Sequence, residues 1–87
     1  MQRVKVLFFA NLRELAGAKE LNLELAEGTR VSEVKSLLCQ EFPNLAKPLK
    51  SVLVAVNKEF AFDEDVIPAD AEVAFFPPVS GGETGFV

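Results

Sequence analysis

Eighty-seven residues, 49% of them hydrophobic and 25% charged, can build one core but not two. Nine Lys and Arg against 13 Asp and Glu give a net charge of −4, and the cations are scattered, which argues against nucleic acid as a partner. No run approaches the ~20 apolar residues of a membrane span, one Cys excludes an internal disulfide, and without His no metal cluster is expected.

The N-terminus enters a strand pattern directly and lacks a signal-peptide profile, so a cytoplasmic location is expected. Residues 3–9 alternate, with Val4, Val6 and Phe8 on one face and Lys5, Leu7 and Phe9 on the other. Asn11 is placed to cap a short helical turn over residues 12–16, which Gly17 closes. Leu21, Leu23 and Leu25 then alternate with Asn22 and Glu24 in a second, half-buried strand that ends at Glu27-Gly28.

Ser32 is the expected N-cap of a helix running to about Glu41, with Glu33 in its first turn. Val34, Leu37, Leu38 and Phe42 form its apolar stripe, and Pro43 ends it. Residues 44–50 read as a loop. Val52-Leu53-Val54-Ala55-Val56 is apolar throughout, which predicts a strand covered on both faces. Asn57-Lys58 turns the chain into a short strand over residues 59–62. The acidic run Asp63-Glu64-Asp65 and the turn Pro68-Ala69-Asp70 lead to a last strand over residues 72–76.

Strand, strand, helix, strand, strand, strand is an α+β order in which one helix covers one face of a mixed sheet of about five strands. With the last strand beside the first, this is a ubiquitin-like β-grasp. Leu7, Phe9, Ala74 and Phe76 then fall on the face without a helix, where Phe60 can join them. An uncovered apolar cluster of that kind marks an interaction site; the bland alternative is a minor core closed by loops. All eight aromatic residues are Phe, which suits a core and an apolar docking patch better than sugar or base recognition.

The chain's end carries the most specific signal. Phe75-Phe76 runs into Pro77-Pro78, which cannot donate to a sheet ladder, and then through Val79-Ser80 to Gly81-Gly82. The two prolines favour an extended segment, and the two glycines present nothing that would obstruct entry into a narrow site.

Val4-Lys5-Val6-Leu7-Phe8-Phe9-Ala10, Leu12-Arg13-Glu14-Leu15-Ala16-Gly17, Val54-Ala55-Val56-Asn57 and the run from Glu72 to Gly82 together resemble the MoaD family, the sulfur-carrying small subunit of molybdopterin synthase. The resemblance implies a cycle. A MoeB-like adenylating enzyme uses ATP to activate the carboxylate of Gly82, and a sulfurtransferase replaces AMP with sulfur. The resulting thiocarboxylate enters a MoaE-like large subunit and donates sulfur to cyclic pyranopterin monophosphate. By position, Gly81, Ser80, Val79, Pro78 and Pro77 thread into that subunit, while Phe9, Phe60 and Phe76 match the family's docking patch. The carrier itself binds no cofactor, and the catalytic groups are expected on the large subunit.

Residues 1–82 thus form a carrier domain with a flexible diglycine tail, and residues 83–87 depart from the pattern, since family members stop at the second glycine. With Glu83 attached, Gly82 carries an amide that cannot be adenylated. Trimming by a protease, a non-native tail, and loss of carrier activity are the readings of this extension, the last being the least favoured. Other pathways stay open as alternatives: a carrier for thiamine, cysteine or tungsten-cofactor synthesis, or a ubiquitin-like protein modifier joined through Gly82. An uncharged adaptor is the remaining class. Phe75-Phe76-Pro77-Pro78 disfavours the thiamine type.

Three other features read as structural. Cys39 falls off the helix stripe as a half-buried flank residue without the electropositive setting of a reactive thiol. Asp63-Glu64-Asp65 lacks the spacing and glycine of a calcium loop and reads as a solvated turn. Arg13 and Glu14 are expected to form a surface pair, although the resemblance implies partner contacts for both. No nucleophile with a base, carboxylate pair or phosphate-binding loop stands out in the sequence, so the chain reads as a substrate and subunit of enzymes.

Overall fold

Alternation along the first strand decides which side of it is buried: Val4, Val6 and Phe8 are all inaccessible, while Lys5 between them is exposed. In the computed structural model, which describes residues 1–77, that strand is β1 (Gln2–Phe8). The others are β2 (Glu20–Leu25), β3 (Leu53–Val56), β4 (Glu59–Ala61) and β5 (Glu72–Phe76). They form one sheet in the order β2-β1-β5-β3-β4. β1 is antiparallel to β2 and parallel to β5, and β3 is antiparallel to both β5 and β4.

The main helix, α2 (Val31–Glu41), lays Val34 and Leu38 on one face of this sheet, with Val31 at its start. With Phe8, Val73 and Phe75 beneath them, these side chains form a single core. The architecture is the ubiquitin-like β-grasp expected from the sequence. No helix among the described residues is long and apolar enough to cross a membrane.

Of the two predicted helix caps, Ser32 is displaced, while Asn11 is the N-cap position but without a side-chain bond. Arg30, not Ser32, is the N-cap of α2: its backbone is extended (φ −99°, ψ 163°), and its N–H donates to the Glu33 carboxylate at 2.8 Å. Glu33 three residues on satisfies the cap backbone, so a polar cap side chain is dispensable and the helix starts earlier. Asn11 already has helical dihedrals and makes no side-chain cap to the short helix α1 (Leu12–Ala16). Its carbonyl accepts from the N–H groups of Glu14 and Leu15 instead. Gly17 does close α1 as expected, at φ +73° with its N–H donating to the Arg13 carbonyl at 2.8 Å.

The stretch read as a loop holds two 3₁₀ turns, Pro43–Leu45 and Pro48–Lys50, each opened by its proline. They drive Leu45 and Leu49 fully into the core beside α2, closing the end of the molecule that a single helix leaves open. Among the described residues, no helix or strand covers the outer face of β3. Val52 and Val54 face the helix and are buried, whereas Leu53 on the opposite face is 43% exposed, with no layer of the described residues over it.

Asn57 and Lys58 join β3 to β4 with both residues at positive φ, +52° and +72°, the geometry of a type I′ hairpin. Asn57 suits its place: its N–H donates to the Glu72 carbonyl at 2.8 Å, and its Oδ1 accepts from the Glu72 N–H at 3.0 Å. Lys58 makes no such bond among the described residues and bears the Cβ strain of the left-handed region. Lys58→Gly is therefore expected to stabilise the domain by about 0.5–1 kcal/mol. Urea titration checks this; a lower midpoint would show that the Lys58 side chain makes a contact worth more than the strain.

Candidate functional site

The pairing register decides what the helix-free face presents. Leu7 lies opposite Ala74, Ala74 opposite Ala55, and Ala55 opposite Phe60, so one row crosses four strands. In the adjacent row Phe76 lies opposite Leu53. Ala55 and Ala74 retain only 8% and 9% exposure, although no helix or strand among the described residues covers them. Their small side chains form a low floor between larger neighbours. The face is apolar only toward this end: one register step back, Lys5 lies opposite Glu72.

Phe9 follows directly on β1 and extends its pairing, its N–H donating to the Phe75 carbonyl at 3.2 Å. Its ring lies flat on that of Phe76, with centroids 4.6 Å apart and planes 11° from parallel. Both rings are half-buried, whereas Phe60 is 76% exposed. All three border one shallow depression of about 380 Å³, together with Ala10, Leu53 and Pro77. The structure thus brings together the three phenylalanines singled out in the sequence and places them beside the residue where the chain leaves the sheet.

Two members of this surface escaped the sequence reading. Leu53 was hidden by an unbroken apolar run, although its parity with Ala55 places it on the outer face. Phe62, 70% exposed, lies just past β4 and lines a neighbouring cleft of about 630 Å³ with Leu53, Phe60 and Lys35.

Arg13 and Glu14 do not form the surface pair expected of them. Among the described residues the ion pairs are Arg3 with Glu24 at 3.9 Å and Lys35 with Asp63 at 2.7 Å. Arg13 turns the other way: its Nε donates to the Phe8 carbonyl at 3.0 Å, and its guanidinium carbon stands 5.6 Å from the centroid of the Phe9 ring. A local hydrogen bond plus a ring face outcompetes a solvent-screened pair between neighbours on a helix.

The acidic run is a turn, as read. Asp63 holds Lys35, Asp65 accepts the Phe62 N–H at 2.8 Å, and the Glu64 carbonyl accepts from Arg30 at 3.2 Å. Cys39 is half-buried against the core, also as read. Of the predicted tail, Pro77 borders the depression, while Pro78, Val79, Ser80, Gly81, Gly82 and residues 83–87 lie outside the described residues.

The site is therefore a concave, greasy surface lined by apolar residues, with Arg13 beside Phe9, ahead of a diglycine segment in the sequence. Among known proteins, the molybdopterin synthase sulfur carrier subunit of Haemophilus influenzae is 38% identical over 81 residues, covering 91% of this chain and 99% of that one. Among solved structures, a Pyrococcus furiosus protein provisionally assigned as molybdopterin converting factor subunit 1 superposes with a TM-score of 0.82 at 28% identity. That match covers 91% of this chain and all of the other. The small archaeal modifier protein 1 of Methanosarcina acetivorans gives a TM-score of 0.73 at 31% identity, covering 94% and 98% of the two chains. The ThiS family matches residues 6–82, from the centre of β1 to the second glycine of the tail, and this chain belongs to it.

Proposed function

We propose that the chain is the sulfur carrier of molybdopterin synthase, a non-catalytic subunit that works in the cytoplasm and presents a thiocarboxylate on Gly82. The observation that carries this reading is the apolar depression framed by Phe9, Phe60 and Phe76 beside Pro77. A partner that grips this surface is held next to the emerging tail, so the first glycines beyond it are delivered rather than left to diffuse. The family match and the Haemophilus influenzae relative support the same pathway.

The chemistry asks little of the carrier's side chains. The peptide bond between Gly82 and Glu83 must first be hydrolysed, which is the task of a trimming protease. The freed carboxylate then attacks the α-phosphorus of ATP on a MoeB-like enzyme, releasing pyrophosphate and leaving an acyl-adenylate. Hydrosulfide-level sulfur supplied by a sulfurtransferase attacks the acyl carbon and displaces AMP, giving the thiocarboxylate. On a MoaE-like large subunit, the thiocarboxylate sulfur attacks cyclic pyranopterin monophosphate and displaces an oxygen there; water then cleaves the thioester, leaving sulfur on the pterin and returning Gly82 as a carboxylate. Two deliveries supply a dithiolene. Phe9, Phe60 and Phe76 dock the large subunit, residues 77–81 thread, and the large subunit supplies the catalytic groups.

Intact-mass measurement of the chain isolated from its own cells is the test. The expected species ends at Gly82, with a fraction heavier by the difference between sulfur and oxygen. A chain that always ends at Val87 and never carries sulfur would refute the carrier reading. The likeness to the Methanosarcina acetivorans modifier favours a second reading, in which Gly82 is joined to lysines of other proteins. High-mass adducts cleaved back to a Gly82 terminus would identify it.

A further inference from the structure

Arg13 is exposed, yet it makes two contacts within its own chain. Its Nε is tied to the Phe8 carbonyl at 3.0 Å, and its guanidinium stands over the ring of the very next residue, Phe9, at 5.6 Å. Phe9 stacks in turn on Phe76 at 4.6 Å, and Phe76 is bonded to Pro77. One cation on α1 therefore reaches, through a single ring, the residue at which the chain leaves β5. A half-exposed ring with only one flat neighbour is free to tilt. A charge over the ring and a fixed hydrogen bond at the preceding carbonyl restrict that freedom.

The backbone points the same way. Ala10, which follows Phe9, sits at φ +56°, in the left-handed region that a residue with a Cβ enters at a cost. The start of α1 holds this turn closed: the Leu12 N–H donates to the Phe9 carbonyl and the Arg13 N–H to the Ala10 carbonyl, both at 3.1 Å. Strain is thus stored at the residue that aims Phe9, next to a surface and not within the core, and such strain tends to collect at functional sites.

We infer that Arg13 is a positioning residue: it holds Phe9 against Phe76 and so fixes the apolar platform at the tail's root in the shape the large subunit grips. The inference rests on the carrier reading above. Arg13 acts through the Phe9 ring and not by touching the partner.

Arg13→Met keeps the aliphatic stem and removes both the cation and the Nε donor. In the free full-length chain, the aromatic NMR shifts of Phe9 and Phe76 are expected to move toward averaged values, with the thermal midpoint altered by no more than a few degrees. Affinity for the large subunit from the same cells should fall about three- to tenfold. Arg13→Lys, which restores a cation, should recover most of both signals. A double-mutant cycle separates the routes: Arg13→Met in a Phe9→Ala background should cost nothing further.

Unmoved ring shifts, an unchanged affinity, or additive losses in the cycle would each overturn the proposal, additivity showing that Arg13 contacts the partner itself. If Arg13→Met fails to fold, Arg13→Gln takes its place in the same measurements. If even the wild-type chain does not bind the large subunit, the carrier reading fails. The ring shifts of the free chain then decide the role of Arg13 alone.

Discussion

Phe60→Asp is expected to weaken the complex with the large subunit by about 30-fold or more while leaving the thermal unfolding of the free chain nearly unchanged. Phe60 is 76% exposed, so folding gains little from it, and surface replacements of that kind shift stability by about 0.5 kcal/mol or less. A central aromatic anchor in an interface is worth about 2 kcal/mol or more when lost, and a carboxylate in its place adds a charge that the partner must desolvate. Phe60 makes a cleaner probe than Phe76, whose half-buried ring also supports Phe9. Calorimetric titration alongside a thermal melt reads both quantities. Equal affinity would remove Phe60 from the docking surface, and a lost cooperative melt would make it part of the core.

Phe8→Ala is expected to have the opposite profile, unfolding the domain or nearly so. Phe8 and Phe75 are 1% and 0% exposed, face each other in the parallel ladder, and have ring centroids 6.0 Å apart. Removing one ring leaves a cavity under α2 that rigid strands on either side do not close. Such truncations cost about 3–5 kcal/mol, out of a total near 5–15 kcal/mol for a domain of ordinary stability. For a chain of this size that corresponds to a drop in melting temperature of about 15 °C or more. Phe75→Ala should do the same, and the double variant should cost less than the sum because the rings stabilise each other. A midpoint within a few degrees of wild type would show that the neighbouring side chains repack into the gap.

Much of the fold was legible because the chain keeps a clean period where a face is buried. Val4, Val6 and Phe8 announce a half-buried strand, and Val34 with Leu38 announces a helix face; both hold in the structure. Where the reading failed, two local signals competed or none was present. Ser32 looks like a cap, but Glu33 reaches back to Arg30 and moves the helix start ahead of it. Leu45 and Leu49 sit among prolines, which mark turns and say nothing of burial, so two core residues passed as loop. Leu53 was concealed because Ala55, the next residue on its face, is also apolar, so the strand reads as uniformly apolar.

The site was legible in part for the same reason. Phe9 and Phe76 follow from parity along their strands, and Phe60 was placed by resemblance and by a short hairpin. Their convergence on one depression depends on how β1, β5 and β3, which lie far apart in sequence, pair with one another. The role of Arg13 depends on the path of the turn at Ala10 and could not be read from the residue order.

β5 lies between β1 and β3, and its parallel bond ladder to β1 has a mechanical consequence. A load applied beyond Pro77 and resisted at the N-terminus pulls two co-directional strands past each other lengthwise. All rungs between them then bear tension together, instead of parting one at a time as they would if peeled from a hairpin's open end. Tugging on the chain beyond Pro77 therefore meets the sheet along its toughest axis.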